Sequence, residues 1–278
     1  MAALRLVATG ILIALALALV VALSFFPARI ALRGMQGAQI RLCRWTCKAL
    51  GLVVEADGRL PEGGPVLLVA NHISWTDVIV LGALSPLVFV ARHDLASWLA
   101  LGRLARAFGA LFVERGRRRL IPHVNRQMAA RMGNCEVVAL FPEATTGDGT
   151  RLRAFNASHF AAARDLLRER AEIANVLIAP VALAYTRRWG LPLGRAGRAR
   201  LAWYGDTTFA PHLLDLARSG PVLCKVRFLR PISFDRADDR KTVARRAAEA
   251  IRTAFVGDVM DVCPLDASTY VLSRRQVV

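Results

Sequence analysis

From Val53 onward, the chain alternates short apolar runs with segments of helical periodicity. The runs are bounded by Gly and Pro and contain β-branched residues, which is typical of buried strands. Alternating strands and helices predict an α/β fold with a mostly parallel twisted sheet flanked by helices. Arg187–Arg200, rich in Gly and Arg, is predicted to be an exposed loop, after which Leu201–Tyr204 resumes the alternation. The predicted strands are 53–56, 66–70, 87–90, 110–114, 137–141, 176–184 and 222–228.

One strand-to-helix connection concentrates reactive side chains. The run Val66–Ala70 is followed directly by Asn71 and His72, and Asp77 lies five positions after the histidine. Ser74 and Asp77 fit a capping box, so a helix should begin here. The histidine then lies at the carboxyl end of a strand, where open α/β sheets hold their ligands. The spacing fits a general base oriented by a carboxylate. It fits equally an ordinary loop histidine beside a capping aspartate.

This segment resembles the H-x4-D block of the 1-acylglycerol-3-phosphate acyltransferase family of glycerolipid acyltransferases. Three more segments resemble that family's further blocks in the same order, and the resemblance covers roughly residues 40–235. They are Phe112-Val113-Glu114-Arg115, Phe141-Pro142-Glu143-Ala144-Thr145 and Ile178-Ala179-Pro180-Val181. The resemblance implies transfer of an acyl chain from a thioester, on coenzyme A or acyl carrier protein, to a lysophospholipid hydroxyl. His72 would be the base and Asp77 the orienting carboxylate, with no bound cofactor.

The resemblance also implies a set of substrate-binding residues. Arg115 would bind an acceptor phosphate through charge-assisted bonds. Glu143 would organise the acceptor pocket, although a buried structural acid paired with an arginine is the alternative. Asn71, Thr145 and Thr146 complete the set.

Two departures from the family's usual F-P-E-G-T-R-S block matter for the site. Ala144 replaces a glycine, which is tolerated if its φ angle is negative. Thr146 replaces an arginine that would contact phosphate, and Arg151 or Arg153 from the following loop can substitute for it. The continuation 145–149 resembles instead the lyso-ornithine-lipid O-acyltransferase branch. Lysophosphatidic acid, giving phosphatidic acid, is still the first expected acceptor, because Arg115 is retained and the resemblance implies this activity most often. Lyso-ornithine lipid is the alternative.

Composition limits the classes of partner. The 278 residues are 55% hydrophobic and carry a net charge of +17, which favours anionic partners. Zinc-finger and RNA-binding patterns are missing from the sequence, so a membrane surface is preferred to nucleic acid. Cys43 and Cys47 share one helix face, but no second pair completes a metal site, so no metal is assigned.

The amino-terminal segment is predicted to be a membrane helix. Leu6–Phe26 contains no charged side chain, and about 20 apolar residues suffice to cross a bilayer. A cleaved signal peptide would have a shorter apolar core and a small-residue cleavage site, so an uncleaved anchor is preferred. The bases that follow place the remaining chain on the cytoplasmic side of a bacterial inner membrane. They are Arg29, Arg33, Arg41, Arg44 and Lys48.

The next segment, Ile30–Leu50, alternates apolar and basic residues, which predicts an amphipathic interfacial helix on an anionic leaflet. By the resemblance, the two segments can form a two-helix motif whose first helix either spans the bilayer or enters one leaflet. The predicted domains are a membrane unit (1–50), an acyltransferase domain (51–258) and a carboxy-terminal tail (259–278). A non-catalytic lipid-binding protein with a decayed site is the alternative from another class. The retained motif residues favour the enzyme.

Overall fold

A computed structural model describes residues 2–114, 116–260 and 276–277. Its helices are α1 (Ala2–Leu23), α2 (Ala28–Leu50), α3 (Thr76–Leu84), α4 (Leu101–Ala107), α5 (Ile121–Gly133), α6 (Ala161–Glu169), α7 (Arg195–Leu201), α8 (Phe209–Ser219) and α9 (Arg240–Met260). Its strands are β1 (Leu52–Asp57), β2 (Val66–Ala70), β3 (Val88–Arg92), β4 (Leu111–Val113), β5 (Val138–Leu140), β6 (Val176–Arg188), β7 (Leu191–Pro192), β8 (Val222–Phe228), β9 (Ile232–Phe234) and β10 (Gln276–Val277).

The strands form one sheet in the order β10-β1-β8-β6-β2-β5-β3-β4. The five strands from β6 to β4 are parallel, while β1 and β8 are parallel to each other and β8 runs antiparallel to β6. The short strands β7 and β9 pair with β6, and β10 pairs with β1, all antiparallel. The predicted α/β fold with a mostly parallel sheet is therefore confirmed.

Two apolar layers cover the sheet because successive residues of a strand point to opposite faces. Leu68 and Ala70 of β2 join a cluster with residues of α2, α3 and α8. Leu67 and Val69 join the other cluster, with residues of α5, α6 and α9. All five residues of β2 are buried, which explains why its sequence is apolar throughout. Each fully buried Leu contributes about 1.5–3 kcal/mol to this core.

The first two helices form an antiparallel pair against the α2–α3–α8 side of the domain. Arg5 of α1 donates to the carbonyl oxygens of Ala217 (3.1 Å) and Leu50 (3.5 Å), at the ends of α8 and α2. Gln39 of α2 exchanges hydrogen bonds with the backbone of Leu87 in both directions. Among the described residues, α1 is the one helix long and apolar enough to cross a membrane. Its exposed apolar side chains include Leu4, Val7, Ile11, Leu15 and Leu19.

The segment 187–200 is not the predicted exposed loop. It contains the end of β6, all of β7 and most of α7. Leu193 is buried, and Arg198 is also buried and donates from Nη1 to the Leu193 carbonyl oxygen. Leu201 ends α7 and does not begin a strand. Residues 189–192 are exposed as predicted, but the segment is not a loop, because the buried Arg198 closes a short helix onto its own amino-terminal loop.

The proposed domain limits fall near element ends. Gly51 ends α2 in the left-handed conformation, and the proposed first boundary lies directly before it. Helix α9 continues to Met260, two residues beyond the second proposed boundary. Cys263 and most of the proposed tail lie outside the described residues.

Candidate active site

The site begins where β2 ends. Ala70 pairs with Val181 of β6, and Asn71 continues this pairing through its side chain. Its Nδ2 donates to the Leu183 carbonyl oxygen at 2.9 Å, and its Oδ1 accepts from the Leu183 amide at 2.8 Å. The side chain thus replaces a backbone partner just where β2 turns away from the sheet. Asn71, predicted to bind substrate, is buried and holds the start of the turn in place.

His72 and Asp77 are in direct contact. The distance from His72 Nδ1 to Asp77 Oδ2 is 2.9 Å, and the Asp77 side chain is fully buried. Asp77 Oδ2 also accepts from the amides of Ile73 (2.6 Å) and Ser74 (2.9 Å). These bonds supply the carboxylate half of the predicted capping box. In place of the other half, the Asp77 amide donates to the Ser74 carbonyl oxygen. Asp77 therefore both holds the turn that precedes α3 and orients the imidazole.

One ring nitrogen of His72 is available to accept a proton, because the other is bonded to Asp77. An ionised Asp77 requires the proton on Nδ1, so Nε2 carries the lone pair. The side chain is 15% exposed, so the imidazole is accessible at one edge. Its ring stacks on Phe141 with centroids 4.0 Å apart and an interplanar angle of 14°. Stacking on one side and the bond to Asp77 on another fix the ring plane. This is the arrangement of a general base.

Tyr185 of β6 is part of the site, although it belongs to none of the sequence motifs. Its hydroxyl donates to Asp77 Oδ1 at 2.8 Å and lies 2.6 Å from Thr76 Oγ1. Burial raises the pKa of Tyr185 well above its usual value, and the negative charge of Asp77 raises it further. The phenol therefore stays protonated and donates to the carboxylate. The sequence feature that could have identified it is a single tyrosine directly after the predicted apolar strand 176–184.

Glu143 lies just beyond β5 and joins two loops. Its Oε1 accepts from the His72 amide and its Oε2 from the Arg153 amide, both at 2.9 Å. Burial raises the pKa of this carboxyl to about 7, although the two amide hydrogen bonds lower it. The contacts are with backbone amides, so the carboxyl ties the histidine turn to the loop containing Arg153.

The segment after Glu143 folds back onto the same turn. The Gly147 amide donates to the His72 carbonyl oxygen at 2.8 Å, and the Thr146 hydroxyl donates to the Trp203 carbonyl oxygen. Thr145 directly precedes Thr146 and is half-buried. Ala144 has a φ of +58°, so the condition that φ is negative there is not met. A left-handed non-glycine residue costs about 1–2 kcal/mol, which this tight turn imposes.

The remaining candidates from the sequence are arginines. Arg115 lies outside the described residues, so its predicted role is still a prediction. The side chains of Arg151 and Arg153 are exposed on the loop that Glu143 holds. Within residues 2–114, 116–260 and 276–277, no group of three His, Cys, Asp or Glu side chains is arranged to hold a metal ion.

A second histidine near the site is structural. His212 Nδ1 accepts from Trp75 Nε1 at 3.0 Å, so its Nε2 carries the proton and donates to the Leu201 carbonyl oxygen at 3.1 Å. Burial lowers the pKa of His212, which keeps the ring neutral. Both nitrogens are used within the protein, and Phe209 packs against Trp75 beside them. This histidine locks α8 to the start of α3.

The comparisons with known proteins agree with this geometry. A family model described as "Acyltransferase" matches residues 51–184. A lyso-ornithine lipid O-acyltransferase of Rhizobium meliloti (strain 1021) is 40% identical over 209 residues, which are 75% of this chain and 71% of that protein. A 1-acyl-sn-glycerol-3-phosphate acyltransferase of Neisseria meningitidis serogroup B is 30% identical over 83% of this chain and 88% of that protein.

A solved structure shows the same fold. The crystal structure of the 1-acyl-sn-glycerophosphate (LPA) acyltransferase PlsC from Thermotoga maritima aligns with a TM-score of 0.61. The alignment covers 92% of this chain and 97% of that one, at 17% sequence identity. The ordered motifs, the His72–Asp77 pair and these relatives lead to one conclusion: the chain is an enzyme that belongs to the lysophospholipid acyltransferase family.

Proposed function

We propose that this enzyme acylates the free hydroxyl of a lyso-ornithine lipid, using an acyl thioester as donor and His72 as general base. The observation that carries the reaction class is the His72–Asp77 pair, in which Nδ1 is held at 2.9 Å and Nε2 is left as an acceptor. Asp77 is buried and accepts four hydrogen bonds, so it stabilises the imidazolium that forms during the reaction.

In the proposed reaction, Nε2 of His72 removes the proton of the acceptor hydroxyl as its oxygen attacks the thioester carbonyl carbon. The new carbon–oxygen bond forms a tetrahedral intermediate, and the carbon–sulfur bond then breaks. The imidazolium returns its proton to the departing thiolate. Since thiolate is a good leaving group, no acyl-enzyme is needed. A positioned base contributes about 10²–10⁴-fold to the rate.

We assign positioning roles to three further residues. Asn71 fixes the end of β2, Glu143 holds the His72 amide, and Tyr185 holds the second oxygen of Asp77. For Asn71 and Glu143, this positioning role replaces the substrate-binding role that the resemblance implied. Their polar atoms are occupied by protein partners, which supports positioning.

The acceptor preference rests on Thr146. Its hydroxyl is committed to the Trp203 carbonyl oxygen, and it stands where the family's usual block has a phosphate-contacting arginine. A lyso-ornithine headgroup has a carboxylate and an ammonium but no phosphate, so it does not need that arginine. The proteins 36–40% identical to this chain in Rhizobium meliloti, Brucella abortus and Pseudomonas aeruginosa are lyso-ornithine lipid O-acyltransferases, which supports the same choice.

Lysophosphatidic acid, the first expectation from the sequence, is the second candidate. The observation in its favour is the exposed side chains of Arg151 and Arg153, on the loop that Glu143 ties to the histidine turn. Arg115, in the second block, would add a further cation. If these arginines bind phosphate, Arg115→Ala should weaken use of this acceptor by about ten- to a hundred-fold.

We also propose that the enzyme works on the cytoplasmic face of the bacterial inner membrane, on an anionic leaflet. Arg5 binds carbonyl oxygens at the ends of α2 and α8, so the start of α1 lies against the catalytic domain. This contact supports entry of α1 into one leaflet from the cytoplasmic side, since a spanning helix would separate its amino terminus from the domain.

The test is a two-by-two assay with the purified full-length chain. Lyso-ornithine lipid and lysophosphatidic acid are each offered in vesicles, with either acyl-coenzyme A or acyl carrier protein as donor. The proposal expects faster acylation of lyso-ornithine lipid. Faster acylation of lysophosphatidic acid would establish the second candidate, and no acylation of either acceptor with either donor would refute both.

A further inference from the structure

The turn between β6 and β7 exposes two large apolar side chains. Trp189 is 63% exposed and Leu191 is 70% exposed, although both belong to a regular antiparallel hairpin. Arg187 and Arg188 precede the turn in sequence. We call residues 187–192 the hairpin tip. Tryptophan is an unusual choice for a position where burial contributes so little stability.

The backbone holds this indole in its exposed position at a cost. Trp189 has a φ of +54° and Gly190 a φ of +77°, the pattern of a tight hairpin turn that favours Asn-Gly. The Trp189 amide donates to the Pro221 carbonyl oxygen at 2.9 Å. A Cβ atom on Gly220 would lie 2.1 Å from the indole ring, so only glycine leaves room for it. The turn thus accepts backbone strain at a tryptophan whose side chain remains largely exposed.

The hairpin tip adjoins the start of α1. Arg188 Nε donates to the Ser219 carbonyl oxygen at 2.6 Å, and Arg5 of α1 donates to that of Ala217 at 3.1 Å. Both arginines therefore bind the same end of α8, two residues apart. The exposed apolar side chains of α1 begin at Leu4, next to Arg5. The tip thus continues the surface by which the enzyme is proposed to meet the membrane.

The tip also lies at the catalytic end of the sheet. Ala70, the last residue of β2, pairs in parallel with Val181, and β6 then continues to Arg188. The hairpin therefore projects beyond the strand end that positions His72. A surface that bound the tip would approach the catalytic end of the domain.

We propose that the hairpin tip is a second membrane-binding element, which inserts Trp189 and Leu191 into the headgroup region of an anionic leaflet. The inference rests on the membrane association proposed above. Tryptophan favours the boundary between headgroups and acyl chains, and arginine can keep its charge at phosphate level while its stem lies in apolar surroundings. The positive charges of Arg187 and Arg188 match an anionic leaflet. Helix α1 alone would tether the enzyme to the membrane without fixing its orientation. Insertion of the tip would turn the catalytic end of the domain toward the lipid.

The test uses the full-length chain with vesicles of phosphatidylglycerol and phosphatidylcholine whose acyl chains are brominated near the headgroup. Tryptophan fluorescence is compared between wild type and Trp189→Asn, so that the difference reports this indole alone. The difference signal should be strongly quenched by the brominated vesicles. The Asn variant should keep or raise its thermal midpoint, because asparagine tolerates positive φ.

A second variant, Leu191→Ser, should weaken partitioning into the anionic vesicles by roughly ten-fold. The matched control Val256→Ser, on α9 and 45% exposed, should partition like wild type. An unquenched difference signal, wild-type partitioning of Leu191→Ser, or an equal loss in the control would overturn the proposal. A fall in the midpoint of Trp189→Asn would overturn it by showing a structural role. Because these readouts measure binding, lack of acyl transfer would count only against the proposed function.

Discussion

Tyr185 Oη donates a hydrogen bond of 2.8 Å to Asp77 Oδ1, while Asp77 Oδ2 is 2.9 Å from His72 Nδ1. The Asp77 carboxylate is thus held by its own turn on one oxygen and by β6 on the other. Its orientation depends on the register between β2 and β6 as well as on the local H-x4-D spacing. A shift of this register would displace the carboxylate even with the motif intact.

The catalytic pair gives the first prediction. His72→Ala should abolish measurable acyl transfer, since a positioned base is worth about 10²–10⁴-fold. Asp77→Asn should also be severe, because it removes the charge that stabilises the imidazolium. Steady-state rates and circular dichroism spectra measure activity and fold together. His123→Ala, at an exposed histidine on α5, is the control and should keep wild-type turnover. A folded His72→Ala protein with near wild-type turnover would contradict the mechanism.

Tyr185→Phe should lower kcat by about ten-fold and leave KM for the acceptor nearly unchanged. The reason is that the hydroxyl positions Asp77 and does not contact substrate. Loss of one bond to a buried charge should also cost about 1–3 kcal/mol of unfolding free energy. Kinetics and urea unfolding measure the two effects separately. Tyr204→Phe, at a tyrosine 41% exposed, is the control. A raised KM for the acceptor with an unchanged kcat would show that Tyr185 binds substrate instead.

The raised pKa of Glu143 predicts a pH dependence of stability. Because burial raises it from 4.5 to about 7, the folded state binds this proton more tightly than the unfolded state. Stability from this group is present below pH 4.5 and is lost as pH rises toward about 7. The loss is on the order of 3 kcal/mol.

Glu143→Gln measures this dependence directly, since glutamine does not titrate. The difference in unfolding free energy between wild type and the variant should therefore fall between pH 5 and pH 7.5, whereas contributions from all other groups largely cancel. A flat difference would show that Glu143 does not keep its proton into this range.

Ala144→Gly should stabilise the enzyme by about 1 kcal/mol and preserve its activity. The φ of Ala144 is +58°, which glycine adopts without strain, and the methyl group is exposed. Urea unfolding midpoints provide the measurement. The same substitution at exposed Ala130, within α5, should instead destabilise by roughly 0.5–1 kcal/mol. If both substitutions changed the stability in the same direction, the backbone strain inferred at Ala144 would be contradicted.

Thr146→Arg tests the acceptor. With lyso-ornithine lipid the variant should lose activity, because an unpaired cation is placed near the ammonium group of the acceptor. With lysophosphatidic acid it should gain activity, since the phosphate gains a partner. Competition assays with both acceptors give the ratio of kcat/KM values. Thr146→Val, the control, removes only the hydrogen bond to Trp203 and should affect both acceptors alike. If Thr146→Arg also changed the kcat/KM values for both acceptors alike, position 146 would not select the headgroup.

The local parts of the site were predictable from the sequence. The apolar run before Asn71 predicted β2, and the S-x-x-D pattern predicted the start of α3 within two residues. These two elements are adjacent in the chain, so His72 and Asp77 had to lie within one turn of each other. Alternating apolar runs predicted the α/β class for the same reason, because each run depends only on its own residues.

The remaining contacts depend on how distant strands pair. Tyr185 is 108 residues from Asp77, Leu183 is 112 from Asn71, and Glu143 is 71 from His72. Because β2 is buried throughout, its apolar pattern does not specify the register with β6. A shift of one residue would turn every side chain to the opposite face. The sequence by itself determined that His72 and Asp77 meet, because their spacing is local. Only the tertiary structure decided what holds them, because strand pairing brings those residues together.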